Sequence, residues 1–420
     1  MISNEWEKHT LGEISKDIAY GYTASAQWER VGPRFLRITD IVGGLNWDTV
    51  PYCEIDEQGY KKYKLEIGDI VIARTGATTG TAEIIKEDKD AVFASYLIRF
   101  KIDESKADPF YIGHIVKSSD WKEFIKSIIG GSAQPGANAK QLSEYEIALP
   151  PISTQHHIAD ILSALDDKIE LNRQTNASLE SIARAIFKEW FVDFNFPGAM
   201  GHIQESELGM IPQGWSVAVF EDELDSERGL SYKGAGLEAG NAMPMHNLNS
   251  VYEGGGYKFD GIKYYSGEYK EKHIVRPGDL IVTNTEQGHK YLLIGYPAIV
   301  PATFGNIGIY SHHIYRVRPK PHSYLTADFI YQLLLQSEIR EQVVGFANGT
   351  TVNMLKIDGL QKPKFVLPPK ELISQFSELA LGIRLRHEEN INQSATLKSL
   401  RDTLLPKLMS DDIHLQRGYL

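Results

Sequence analysis

The apolar positions of the chain form two long seams. In the first, Ile158, Leu162, Leu165, Ile169, Asn172, Asn176, Leu179, Ala183, Ile186 and Trp190 recur at alternating steps of four and three. That spacing predicts a helix that packs along another helix. A second seam lies 218 residues further on: Phe376, Ala380, Ile383, His387, Asn390, Ser394, Leu397, Arg401, Leu404 and Leu408. The register holds throughout, and Asn172 falls on Asn390. Both seams are apolar at their ends and polar in the middle. His387 and Arg401 are poor core residues, and the neighbouring Leu400 lets the second stripe drift. The alternative is two unrelated amphipathic helices. The matched starts argue against it: LPPISTQ at 149–155 and LPPKELISQ at 367–375.

The region before each Leu-Pro-Pro repeats as well. Gly68-Asp69-Ile70-Val71-Ile72 matches Gly278-Asp279-Leu280-Ile281-Val282, each a turn entering a buried strand. Polar loops follow, RTGATTG at 74–80 and NTEQGHK at 284–290. Next come a strand (91–100 and 308–317), a helix (109–128 and 327–344) and a Gly-containing polar loop (GGSAQPGANAK at 130–140, ANGTTVNMLK at 347–356). A last strand, EIALPP or KFVLPP, runs into the prolines, which end it because proline donates no ladder hydrogen bond and disfavours helix at the residue before it. The starts echo too, with Trp6 near LGEI and Trp215 closing IPQGW.

The predicted class is therefore α+β: two tandem globular heads, each followed by a long helix. The boundaries are 1–151 for the first head, 152–193 for its helix, 194–214 for a Gly- and Pro-containing linker, 215–369 for the second head, 370–410 for its helix and 411–420 for a tail. A helix over 155–190 spans roughly 54 Å. Two such helices are expected to bury their stripes as an antiparallel coiled coil with pseudo-two-fold symmetry. Asn172 and Asn390 would then meet near its middle, where a buried amide pair fixes register at a cost in stability.

Composition bounds the rest. A chain of 420 residues is too long for one core. Cys53 is the sole cysteine, which excludes an internal disulfide and a multi-cysteine zinc site and fits a cytoplasmic location. There is no run of apolar residues long enough to span a membrane, so no membrane is expected as a partner. MISNEWEKHT lacks a signal-peptide pattern. Gly-x-Gly-x-x-Gly and Walker A patterns are absent. Asp108-Pro109-Phe110-Tyr111 departs by one residue from the Asp-Pro-Pro-Tyr loop of adenine methyltransferases and reads as a helix start. Asp166-Asp167-Lys168 and Glu87-Asp88-Lys89 are common chance triplets. No metal site is expected from the histidines, His156-His157 and His312-His313 included.

The tandem GDIVIARTG and GDLIVTNTE strands, the two approaches to Leu-Pro-Pro and the two long helices make the chain resemble the specificity subunit of type I restriction–modification enzymes, over nearly its whole length. The resemblance implies two target-recognition domains that read the halves of a gapped double-stranded DNA sequence. It implies a helical spacer that sets the gap and docks two methyltransferase subunits, and restriction/translocase subunits through the complex. It further implies a non-catalytic chain with no cofactor of its own, S-adenosylmethionine being carried by the methyltransferases.

Base edges are read by Arg, Lys, Asn, Gln, Ser and Thr, and phosphates take basic and hydroxyl groups. In the first head the candidates are Tyr22, Arg74, Thr75, Thr78 and Thr79, then Ser132, Gln134, Asn138 and Lys140. In the second they are Tyr232, Lys233, Asn284, Thr285, Gln287, His289 and Lys290, then Asn348, Thr350, Thr351, Asn353 and Lys356. Arg34, Arg37 and Glu286 are weaker candidates. Plain hairpin loops are the alternative at each. The heads differ at these loop positions while their strands stay alike, as different half-sites on one scaffold require. The net charge of −11 predicts weak, salt-sensitive DNA binding by the chain alone. Two other readings remain at this point: a duplicated DNA-binding scaffold of another defence complex, and an enzyme with its active site between the heads, for which no acid, base and nucleophile set is visible.

Overall fold

The computed structural model describes residues 6–129, 136–238, 240, 242–287, 290–349 and 352–409. It divides into two compact units, Met1–Leu171 with Ser394–Leu420, and Asn172–Gln393. Each unit therefore holds one head, part of the helix that follows it in sequence or precedes it, and part of the other long helix.

The first head is built on an antiparallel four-stranded sheet in the order Ser15–Tyr20, Leu97–Ile102, Ile70–Ala73, Ala82–Ile84. The Gly-Asp turn delivers the buried strand Ile70–Ala73 to its interior, with Gly68 at a φ of +88° that favours glycine. A short parallel pair, Arg34–Leu36 with Ala91–Phe93, lies alongside. The strand that runs into the first Pro-Pro, Glu146–Leu149, pairs antiparallel with the start of the head, Glu7–Thr10.

The second head repeats the order. Its sheet runs Leu224–Arg228, Ile314–Pro319, Leu280–Thr283, Pro297–Ile299, all antiparallel, with Gly278 at a φ of +90°. Met243–His246 pairs parallel with Gly308–Tyr310. Lys364–Leu367 pairs antiparallel with Ser216–Val219.

Three sequence expectations are refined. The segments at 91–100 and 308–317 are each two strands, not one, interrupted at Ala94–Tyr96 and Ser311–His313. The amides of Ser95 and His312 turn away from the ladder to donate to the carbonyls of Tyr22 and Leu230. The helices at 109–128 and 327–344 are each two helices. In the first head Ser118 breaks the run, its hydroxyl accepting from the Trp121 amide (3.2 Å). The linker at 194–214 carries a hairpin, Ile203–Ser206 with Gly209–Pro212. It is anchored in the second unit by buried Ile211 and by Phe194 and Phe196 packed on Trp215.

The long helices run Ile152–Phe187, extended by a π-helical turn Lys188–Val192, and Lys370–Met409. All twenty seam residues are buried or half-buried. In the first unit Ile158 and Leu162 share a core with Leu404, Leu405 and Leu408, and Arg401 pairs with Asp166 at 2.6 Å. In the second, Phe187 and Phe191 pack on Phe376. There Asn172 and Asn390 are each 2% exposed. Asn172 Nδ2 donates to Asn390 O (3.3 Å) and Gln393 Oε1 (2.9 Å). Asn390 Nδ2 donates to Asn176 Oδ1 (2.8 Å), and Asn176 Nδ2 to His387 O (3.2 Å). Within that unit the two helical segments therefore run in opposite directions. His387 and Arg401, poor core residues by composition, are satisfied by Glu180 (3.1 Å) and Asp166.

Two interior histidines set an acid limit on stability. Burial pushes His114 from its ordinary 6.5 down to about 4, partly opposed by Asp166. Burial does the same to His246, whose Nδ1 lies 2.7 Å from the Tyr257 hydroxyl. The unfolded chain binds these protons first, so the stabilisation is complete above pH ~6.5 and is lost as pH falls toward ~4, by roughly 3 kcal/mol per histidine. Urea midpoints measured from pH 7 to pH 4 should fall, and His246→Gln should flatten that dependence.

Candidate nucleic-acid interface

The two polar loops of each head, far apart in sequence, meet in space. In the first head the Ala137 amide donates to Arg74 O (2.9 Å), and Thr75 bridges Gly136 in antiparallel register. In the second, the Leu355 amide donates to Asn284 O (2.8 Å). Thr285–Gln287 pairs with Val352–Leu355, which pairs with Ala347–Asn348. Each loop pair is joined by the turn that interrupts the long strand: the Arg74 amide donates to Tyr96 O and the Asn284 amide to His313 O, both at 3.0 Å.

The candidates divide into framework and surface. Thr79, Asn284, Thr285 and Asn353 are interior rather than on the loop surface where they were expected. Thr79 Oγ1 donates to Gly76 O (2.7 Å), holding the RTGATTG turn. Asn284 Nδ2 donates to His312 O (3.0 Å), and Thr285 Oγ1 donates to Asn284 Oδ1 (2.7 Å). Glu286 is buried and accepts from the amides of Leu292, Leu293 and Ile294 (2.9–3.0 Å), so its carboxylate is committed to its own loop. Asn138 is exposed but caps the helix Ala139–Ser143. Arg37 is held by Asp40, and Arg34 by Val50 O and the Tyr52 ring.

Lys140, Lys233, Gln287, Lys290, Asn348 and Lys356 are exposed, and Arg74, Thr75 and Thr78 half-buried. Tyr22 packs against Tyr63, and Tyr232 stands near Tyr265 and His312. Ser132, Gln134, His289, Thr350 and Thr351 lie outside the described residues. Sequence reading missed Tyr20. Its ring lies 4.9 Å from the Arg74 guanidinium, and its hydroxyl accepts from the Ala139 amide (3.0 Å). It thus ties the sheet edge to both loops. The strand alternation points Tyr20 and Ile18 to the same face, the only signal in the sequence that bears on it.

The chemistry-like motifs are structural. Asp108 caps a helix through the Tyr111 amide (2.7 Å) and Tyr111 is fully buried. Asp166 and Asp167 pair with Arg401 and Lys86, and Glu87 with Lys89. Among the described residues no three His, Cys, Asp or Glu side chains are grouped to hold a metal, and no helix is long and apolar enough to cross a membrane.

Residues 3–181 match the family model of the type I restriction modification DNA specificity domain. The chain is 27% identical to the type I restriction enzyme MjaIX specificity subunit of Methanocaldococcus jannaschii, covering 83% of this chain and 76% of that protein. It is 24% identical to the HindI specificity subunit of Haemophilus influenzae, covering 98% and 100%. The S subunit of a type I restriction–modification system from M. genitalium superposes with a TM-score of 0.60 at 14% identity, over 97% of this chain and 98% of that one, a likeness of fold.

Removing the Glu286 carboxylate leaves three amides without their acceptor, at about 1–3 kcal/mol for a buried donor. Glu286→Ala is expected to speed hydrogen exchange at Leu292, Leu293 and Ile294 at least tenfold, with the Ile314–Pro319 strand unchanged. Equal protection in the variant would remove the loop-framework role.

Proposed function

We propose that the chain is a specificity subunit of a type I restriction–modification enzyme, itself non-catalytic, that it reads a bipartite, gapped DNA target, one half with each head, and that it positions methyltransferase subunits on it. The observation that carries this reading is the doubled loop site: one strand order, one set of turn hydrogen bonds and one pair of converging loops in each head, with different side chains on the surface. A shared scaffold with altered loops is what two different half-sites require, because phosphate contacts orient a protein while base contacts specify.

The long helices serve as the spacer, an antiparallel pair whose buried asparagines fix register. They also carry exposed apolar residues off the seam: Leu171 and Leu400 in one unit, Ile182, Leu379 and Leu385 in the other. Apolar side chains left on a polar surface suit a protein partner, and we assign them to two methyltransferase subunits. Restriction/translocase subunits join through these. S-adenosylmethionine, bound by the methyltransferases, supplies the methyl group for an adenine flipped from the stack, and this chain itself holds no cofactor. The net charge of −11 makes the partners necessary for tight binding, since the chain as a whole repels a polyanion.

Genome-wide adenine methylation, compared in cells expressing the partner methyltransferase with and without this chain, should show a two-part gapped motif that depends on the chain. Methylation independent of it, with both proteins present, would favour a DNA-binding scaffold of another defence complex. The spacer gives a second test. Four residues inserted into both helices lengthen each by about 6 Å. The gap in the methylated motif should widen by one or two base pairs at ~3.4 Å each. An active variant with an unchanged gap would refute the ruler.

A further inference from the structure

Superposing the hydrogen-bond pattern of the two heads aligns them residue by residue. In the first, the amides of Gly21 and Tyr22 donate to Leu97 O and Phe93 O, and the Ser95 amide donates back to Tyr22 O. In the second, Gly229 and Leu230 donate to Ile314 O and Tyr310 O, and His312 donates back to Leu230 O. With the Arg74–Tyr96 and Asn284–His313 bonds already described, Ser95 is equivalent to His312, Arg74 to Asn284, and Tyr20 to Arg228.

The arginine has therefore changed strands between the heads. In the first it is Arg74, at the end of the central strand, and an aromatic residue fills the edge-strand position. In the second the central position is the interior Asn284 and the arginine is on the edge strand. Yet both side chains reach the same place. Arg74 Nη1 lies 3.4 Å from Ser95 O, and Arg228 Nε donates to His312 O at 3.0 Å. One turn carbonyl in each head holds one guanidinium, beside the meeting point of its two polar loops.

Neither guanidinium forms a salt bridge among the described residues. Arg37, Arg99, Arg316, Arg318, Arg384, Arg386 and Arg401 are each paired with a carboxylate; among the arginines that are not, Arg74 and Arg228 are set apart by standing at equivalent turns of the two heads. Arg74 stacks over Tyr20, and its Nε has no hydrogen-bond partner. Arg228 is exposed. In a chain with a net charge of −11, two unpaired cations at equivalent positions of two loop sites need a reason. A planar fork tethered through one N–H keeps other donors for a ligand. Guanine O6 and N7 in the major groove are the acceptors such a fork matches bidentately.

We propose that Arg74 and Arg228 are equivalent specificity residues, each reading a guanine in the half-site of its own head. The proposal rests on the specificity-subunit reading above. It extends that reading to Arg228, which the loop motifs do not contain, and assigns both residues one ligand chemistry.

The test is the adenine methylome of cells carrying the full chain and its partner methyltransferase, with Arg74→Gln, Arg74→Lys, Arg228→Gln and Arg228→Lys in turn. A bidentate guanine contact discriminates by roughly 10- to 100-fold. Each Gln variant should lose that preference at one guanine-bearing position of one half-site, with Arg74 and Arg228 affecting opposite halves. Lys, which keeps charge but not the fork, should relax the same position. An unchanged motif in the Gln variants overturns the proposal. So does a uniform loss of methylation in Gln that Lys restores with the motif intact, since that is a phosphate contact. The unsubstituted chain separates the two levels: if it directs no gapped motif, the specificity-subunit reading fails, whereas a wild-type motif unmoved by the variants sinks this assignment alone.

Discussion

Each head depends on one close approach that leaves no room for a side chain. A Cβ on Gly21 would lie 2.2 Å from Ala94 O, and one on Gly229 would lie 2.2 Å from Ser311 O. Real Cβ atoms do not come so near a carbonyl, so only glycine lets the edge strand cross the turn there. The crossing ends the ladder and redirects the amides of Ser95 and His312. It turns one alternating apolar run into two strands in two sheets. The carbonyls of Ser95 and His312, and the loops that begin at Arg74 and Asn284, are placed by this crossing. The loop surface of each head is thus hung on backbone bonds that do not depend on loop side chains, which leaves those side chains open to differ between the heads.

The helical seam works by a different balance. Its ends are aromatic and aliphatic, with Phe187, Phe191 and Phe376 in one cluster and Leu162, Leu405 and Leu408 in another. Those contacts supply burial but tolerate sliding. Its polar middle does not. Asn172, Asn176 and Asn390 exchange hydrogen bonds with side chains and with main-chain carbonyls, so a shift of one turn leaves buried amides without partners. Glu180, held below the usual carboxylate range by its hydrogen bond to His387, extends the same register. For the proposed spacer, such a lock would hold the register more firmly than added hydrophobic area.

The duplication was legible because it is written in backbone-determining residues: Gly-Asp turns, Pro-Pro stops and a heptad period. Loop chemistry was only half legible. Composition selected Asn284, Thr285 and Glu286 as surface groups, yet Asn284 and Glu286 bond backbone groups inside the head and Thr285 bonds the side chains of Asn284 and His313. Nothing local distinguishes an asparagine that caps a carbonyl from one that faces solvent. Arg228 was missed for the opposite reason. It lies in LDSERGL, an unremarkable strand end, and its equivalence to the Arg74 site exists only through cross-strand hydrogen bonds.

The acidic balance of the chain becomes intelligible on the same footing. Several head arginines are spent internally: Arg37 holds Asp40, Arg99 bridges Asp17 and Asp69, and Arg316 and Arg318 hold Glu227 and Asp279 across the second sheet. Such pairs add little to the field outside, since each cation is cancelled within a few ångströms. On the proposed function, what DNA would meet is set by the cations left over, not by the total. Arg74, Arg228, Lys140, Lys233, Lys290 and Lys356 carry no salt bridge among the described residues. All six flank the turn or the two loops of a head. On the proposed function, cations beside the turn and loops of each head would orient a duplex before any base is read.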